Sequence, residues 1–206
     1  MNLETAFAAC PLVAILRGLT PEEAIAVGEA LVDAGFTILE VPLNSPRPLE
    51  SIAALSRHLK GRAIVGAGTV LTATAAEEVV AAGGELIVMP HADTAVIARA
   101  KALGAACVPG IATPTEAFAA LAAGADALKI FPAELVAPKV VKAMLAVLPK
   151  GVKLLPVGGI TPETMEPYRA AGAAGFGLGS ALYAPGTPPA EVGTRARAFI
   201  AALGAK

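Results

Sequence analysis

Leu12-Val13-Ala14-Ile15-Leu16-Arg17-Gly18-Leu19-Thr20-Pro21-Glu22-Glu23-Ala24-Ile25-Ala26-Val27-Gly28-Glu29-Ala30-Leu31-Val32-Asp33-Ala34-Gly35-Phe36-Thr37-Ile38-Leu39-Glu40-Val41-Pro42-Leu43 reads as one complete strand–helix–strand unit. Its first five residues form a continuous apolar run, as expected for a strand buried on both faces of a parallel sheet. Thr20 then offers an N-cap oxygen and Pro21 a pre-set first helical residue, while Glu23 can close a capping box. The Ala-rich stretch that follows has helical periodicity. It stops at Gly35, where a left-handed backbone is cheapest. Residues 37–43 are a second strand-like run, and a strand reached through a helix lies parallel to the first by a right-handed crossover.

The unit repeats along the whole chain. Strand-like runs at 12–16, 37–43, 63–67, 86–89, 106–108, 127–130, 153–157 and 175–178 recur about every 20–26 residues. Thr113-Pro114-Thr115-Glu116 and Thr161-Pro162-Glu163 repeat the threonine–proline start, and Thr74 with Glu77 offers another capping box. Gly83, Gly104, Gly124 and Gly172 mark further helix ends. Eight strands alternating with eight helices close naturally into a (β/α)8 TIM barrel, whereas an open doubly wound sheet usually stops at five to seven strands. A single domain over residues 1–206 is expected.

Composition narrows the function. Of the 206 residues, 55% are hydrophobic and 16% charged, which suits many buried strands and not a disordered chain. A net charge of −1 provides no field to attract nucleic acid or an acidic membrane. Uncharged stretches such as 170–190 are broken by Gly and Pro, so no segment reads as a membrane span. A cytoplasmic protein is expected. Cys10 and Cys107 are far apart, in no metal or redox spacing, and read as buried thiols.

In a barrel of this type functional groups lie at the carboxyl ends of strands. Glu85 and Lys153 open their strands and read as solvated residues of the opposite face, whereas Arg17 closes the first strand, Glu40 lies within the second and Lys129 sits late in the sixth. Lys129 is flanked by Ala127-Leu128 and Ile130-Phe131-Pro132. Desolvation there favours the neutral amine, which can attack a carbonyl and form a Schiff base. The ordinary reading of Glu40 and Lys129 is a buried ion pair. Such pairs roughly break even in stability, so a catalytic lysine beside a carboxylate base is the sharper reading.

Gly158-Gly159-Ile160-Thr161 and Gly177-Leu178-Gly179-Ser180 follow the seventh and eighth strands, where barrels grip phosphate with backbone N–H groups. Gly158, Gly159 and Gly179 permit close backbone approach and Ser180 adds a hydroxyl donor. Gly66-Ala67-Gly68-Thr69 could offer Thr69 to a carboxylate, although tight turning explains its glycines equally well. A dinucleotide motif at 175–179 fails for want of an acidic ribose partner. His58, beside Arg57 and Lys60, reads as solvated, and His91, after Pro90, as a residue of the pocket loops. Two isolated histidines do not make a metal site, so neither metal nor other cofactor is expected.

Five stretches carry a resemblance: Leu39-Glu40-Val41-Pro42-Leu43-Asn44-Ser45-Pro46, Gly66-Ala67-Gly68-Thr69-Val70-Leu71, Pro109-Gly110-Ile111-Ala112-Thr113, Leu128-Lys129-Ile130-Phe131-Pro132-Ala133-Glu134 and Val157-Gly158-Gly159-Ile160. In this order the chain resembles the 2-keto-3-deoxy-6-phosphogluconate (KDPG) and 2-keto-3-deoxy-6-phosphogalactonate (KDPGal) aldolases. The resemblance implies a metal-independent Schiff-base aldolase on a (β/α)8 barrel, typically a homotrimer, acting on a phosphorylated keto-deoxy sugar acid and releasing pyruvate. It implies Lys129 as the imine lysine and Glu40 as the general acid/base. Arg17 and Thr69 would meet the carboxylate end, and Gly158, Gly179 and Ser180 the phosphate. Pro42 and Asn44 replace the threonine and arginine of the gluconate pattern, and Val157 replaces a threonine, which resembles the galactonate branch. Arg17 is then the candidate to replace the arginine missing at Asn44.

Overall fold

In the computed structural model, which describes residues 1–204, the strands are β1 (Leu12–Ile15), β2 (Ile38–Pro42), β3 (Ile64–Gly68), β4 (Leu86–Val88), β5 (Ala106–Val108), β6 (Gly110–Ile111), β7 (Leu128–Ile130), β8 (Leu154–Pro156) and β9 (Phe176–Leu178). The expected domain's last two residues, Ala205 and Lys206, lie outside the described residues. All the strand pairs are parallel. One hydrogen-bonded set runs β5-β4-β3-β2-β1-β9 and another β6-β7-β8. A parallel bridge from Val157 to Gly177 joins β8 to β9, and β5 and β6 are two halves of one strand. The sheet therefore closes on itself as a (β/α)8 barrel.

The break at Pro109 is a difference from the sequence reading, which stops the fifth strand at 108. Proline has no N–H to give a ladder. Its carbonyl still accepts from Lys129 N at 2.9 Å, while Val108 O accepts from Met89 N on the other side at 3.2 Å. The two halves thus turn toward different neighbours, and the Pro109-Gly110 turn signal hides the second half.

Helices α2 (Pro21–Asp33), α3 (Pro48–His58), α4 (Ala73–Ala81), α5 (Thr94–Ala102), α6 (Pro114–Ala122), α7 (Pro138–Val147), α8 (Met165–Ala170) and α9 (Pro189–Gly204) follow α1 (Leu3–Ala9) around the barrel. The capping boxes at Thr20/Glu23 and Thr113/Glu116 form as the spacing predicts. The one at Thr74 does not, because α4 starts two residues earlier and Thr72 caps it by accepting from Ala75 N. Thr161 starts a short 3-10 turn, Pro162–Thr164, ahead of α8. Gly35, Gly83, Gly104, Gly124 and Gly172 all have positive φ, as helix-ending residues should.

Burial separates into two layers. Outward-facing strand residues such as Leu12, Leu39 and Ile87 pack beneath the helices with Val27, Leu31 and Val79. Inward-facing Val13, Ile38, Ile64, Leu86 and Leu155 fill the barrel and meet Phe7 of α1, a helix the sequence reading does not include. Phe7 is 8% exposed, so its ring contributes roughly 2–3 kcal/mol by burial. It closes the amino-terminal end of the barrel, with Thr37 Oγ1 donating to Ala6 O at 2.7 Å to hold α1 in place. Among the described residues no helix is long and apolar enough to cross a membrane.

Candidate active site

Strand alternation decides which charges enter the barrel. Inward-facing Glu40 and Lys129 line a small interior space with Val13, Ile15, Val88, Val108 and Leu155, just above the apolar filling. Their relative exposures are 1% and 6%. Gly68 makes room for the carboxylate. A Cβ at that position would lie 1.9 Å from Glu40 Oε2, so this glycine is required by space and not by a turn. The turn explanation for this glycine is thereby replaced.

Glu40 and Lys129 are not an ion pair. Among the described residues neither has an oppositely charged partner within 4.0 Å. Oε2 of Glu40 is buried without a hydrogen-bond partner in the protein. Desolvation therefore dominates both groups. It pushes Glu40 up to about 7, against the opposing fields of Lys129 and Arg17. It holds the Lys129 amine below its ordinary range, with Arg17 acting in the same direction and Glu40 against it. The Lys129 Nζ lies 4.6 Å from the centre of the Phe131 ring, which shields it at the mouth.

These shifts predict a pH dependence. Activity that uses the Glu40 carboxylate should rise with pH through an apparent pKa near 7 in kcat/KM, and protonation of Lys129 at lower pH works in the same direction. Stability should move the other way. The folded value lies above the ordinary 4.5, so the contribution of Glu40 is fully present below 4.5 and is lost as pH rises through about 7. At about 1.4 kcal/mol per pH unit, ionising Glu40 inside the fold costs about 3 kcal/mol. Melting temperatures of the wild type and Glu40→Gln at pH 5 and pH 8.5 check this. The variant should gain relative to the wild type at the higher pH, and an unchanged difference would contradict the assignment.

Above Lys129 opens a cavity of about 510 Å³, a common size for a small-ligand site. It brings Arg17, Lys129, Gly158, Gly159, Gly179 and Ser180 together, with Glu40 just beneath. Arg17 donates to Asn44 Oδ1 at 2.7 Å, so the two positions considered for a substrate-carboxylate contact are neighbours. Gly158 and Gly159 both have positive φ and lie against the Glu134 side chain. Thr69 stands apart. It follows β3 in a left-handed conformation (φ 57) and does not line this cavity. His91 also lies outside it and is exposed. His58 is exposed, as the sequence suggests, and meets Glu29 of α2 at 2.6 Å. Cys107 is inert, pushed up to about 12 chiefly by burial.

Sequence reading missed several walls of this cavity, including Phe131, Glu134, Tyr183 and Pro185. Phe131 and Glu134 carried a signal, since they flank Lys129 in a quoted motif. Tyr183 and Pro185 carried none, because they reach the site through the fold of the loop after β9. Among the described residues no group of three or more His, Cys, Asp or Glu is placed to hold a metal ion.

A desolvated amine and a carboxyl of raised pKa lie inside a parallel barrel and face glycine loops across one cavity, which is the equipment an imine-forming barrel enzyme requires. The family model described as KDPG and KHG aldolase matches residues 3–187. The chain is 47% identical over 192 residues to the 2-dehydro-3-deoxy-6-phosphogalactonate aldolase of Escherichia coli (strain K12), covering 93% of this chain and 94% of that enzyme. A solved structure described as "Native KDPGal structure" superposes with a TM-score of 0.93 at 46% identity, covering 94% of each chain. The KDPG aldolase of Legionella pneumophila, captured with pyruvate at low pH as a covalent carbinolamine intermediate, gives 0.86 at 26% identity over 97% of this chain and 98% of that one. The chain belongs to the KDPG and KHG aldolase family.

Proposed function

We propose that this protein cleaves 2-keto-3-deoxy-6-phosphogalactonate to pyruvate and glyceraldehyde 3-phosphate through an imine on Lys129. The observation that carries this reading is the unpaired, desolvated Lys129 above Glu40 in a cavity that also holds both glycine loops. The neutral amine attacks the C2 carbonyl to give a carbinolamine. Protonated Glu40 gives its proton to the departing hydroxyl, so water leaves and an iminium forms. The Glu40 carboxylate then takes the proton of the C4 hydroxyl. The C3–C4 bond breaks, its electron pair moves into the iminium to give an enamine, and the aldehyde departs. Glu40 returns the proton to C3, and hydrolysis frees pyruvate and Lys129. Gly158, Gly159, Gly179 and Ser180 would hold the phosphate, and Arg17 the carboxylate. Thr69, the other carboxylate contact expected from the sequence, does not line the cavity and is given no role in this reading.

Preference between carbon-4 epimers rests on Val157. It lines the cavity with Lys129 and presents methyl groups where threonine would offer a hydroxyl. A site that hydrogen-bonds one epimer discriminates strongly because the other leaves polar groups unpaired. Val157 cannot form that bond, so we expect higher kcat/KM for the galactonate epimer with appreciable gluconate cleavage remaining. Competition between the two epimers, read by pyruvate release, tests this. A clear gluconate preference would overturn the choice of epimer and leave the imine chemistry standing. We further propose that residues 1–206 form one catalytic domain that assembles as a homotrimer in the cytoplasm.

A further inference from the structure

We infer that the hydrogen bond from buried Tyr183 to half-buried Glu23 is a latch that aims the phosphate loop, making Tyr183 a positioning residue for the phosphorylated end of the substrate. This rests on the proposed phosphate site at Gly158, Gly159, Gly179 and Ser180.

The loop after β9 folds back immediately. Gly179 O accepts from both Leu182 N at 2.9 Å and Tyr183 N at 3.0 Å. In a trans peptide the carbonyl and the next N–H point in opposite directions. Fixing the Gly179 carbonyl into the turn therefore directs the Ser180 N–H away from it. The turn needs an external anchor, since Ser180 is exposed and a Cβ on Gly179 would meet nothing within 4 Å.

Tyr183 supplies that anchor. It is 2% exposed, and its hydroxyl donates to Glu23 Oε1 at 3.0 Å across a sequence separation of 160 residues. The same oxygen accepts from Thr20 N at 3.0 Å and closes the start of α2. Glu23 is thus fixed by its own helix before it receives the phenol. Burial and the Glu23 charge both raise the pKa of Tyr183, so its hydroxyl remains a donor. A second contact lies alongside. Gly18 has a φ of 84°, and a Cβ there would come 2.6 Å from Pro185 Cγ, so the loops after β1 and β9 touch directly. The loop after β1 also carries Arg17. The latch consequently sets the spacing between the groups proposed for the two charged ends of one substrate.

A structural bond alone would alter stability without choosing between substrates. The latch instead predicts a selective loss. Tyr183→Phe should raise KM for the phosphorylated keto-deoxy acid, and the Ki of inorganic phosphate as a competitive inhibitor, by about tenfold. Its kcat should change by less than about threefold, and borohydride trapping of pyruvate on Lys129 should remain as in the wild type. Glu23→Ala should reproduce this pattern, whereas Glu23→Gln, whose amide oxygen still accepts both bonds, should stay within about twofold of the wild type. The double variant Tyr183→Phe/Glu23→Ala should be no worse than either single one. Melting temperatures of each variant establish that it is folded at the assay temperature. Unchanged KM and phosphate Ki in both Tyr183→Phe and Glu23→Ala, in an enzyme whose wild type is inhibited by phosphate, would overturn the latch alone. So would a Glu23→Gln defect as large as that of Tyr183→Phe. A wild type that neither responds to phosphate nor prefers the phosphorylated substrate over its dephosphorylated form would remove the phosphate site and the latch together.

Discussion

Lys129→Ala should lose turnover by about 10⁴-fold or more and should no longer be labelled when pyruvate and sodium borohydride are added together. The wild type should acquire one stable pyruvyl adduct, placed at Lys129 by peptide mass spectrometry. The size of the effect follows from chemistry. Without an amine there is no iminium, and the electron pair of the breaking C3–C4 bond has no sink. The surroundings explain why this lysine should react. Desolvation holds its amine below the ordinary range, and Glu40 does not approach closely enough to pair with it. Removing a poorly solvated amine should not lower the melting temperature greatly, so lost activity can be separated from lost fold. Labelling at another lysine, or persistent labelling of the variant, would refute the assignment.

Glu40→Gln should reduce turnover by about 10²–10⁴-fold while pyruvate trapping at Lys129 remains detectable. The amide keeps nearly the same shape in the space left by Gly68, so the contrast isolates proton transfer from packing. Trapping survives because attack by the amine on an activated keto acid depends less on Glu40 than does removal of the C4 hydroxyl proton. A folded variant with near-normal turnover would reduce Glu40 to a charge neighbour of Lys129. The two variants should therefore differ in kind, one lacking the covalent step and the other retaining it, slowed at loss of water, and failing at cleavage.

Much of this could be read from side-chain order because the barrel is built from local rules. Thr20, Pro21 and Glu23 start a helix wherever they occur together, and Gly35 ends one. Apolar runs between such signals have few other folds available. Lys129 and Glu40 stood out for the same reason, being charges within buried strands. The rest depended on contacts between distant segments. Gly68 looked like a turn residue until Glu40 was seen to fill the space beside it. Pro109 looked like the end of a strand because its carbonyl pairing with Lys129 is set by a neighbour. Tyr183 had no local signature at all, since its partner Glu23 is 160 positions away.

The Phe7 ring at the amino-terminal end of the barrel has a kinetic meaning as well. With that end sealed by α1, water, substrate and both products must use the mouth above Lys129. The solvent molecule that hydrolyses the enzyme-bound enamine's successor must then wait until the aldehyde has vacated the passage. Under the proposed mechanism product departure becomes sequential, with the three-carbon aldehyde leaving first and pyruvate last. The labile intermediate is shielded from quenching throughout cleavage. Reversal of the reaction requires pyruvate to load before the aldehyde. Initial-rate patterns in the condensation direction should accordingly show pyruvate as the obligatory first reactant.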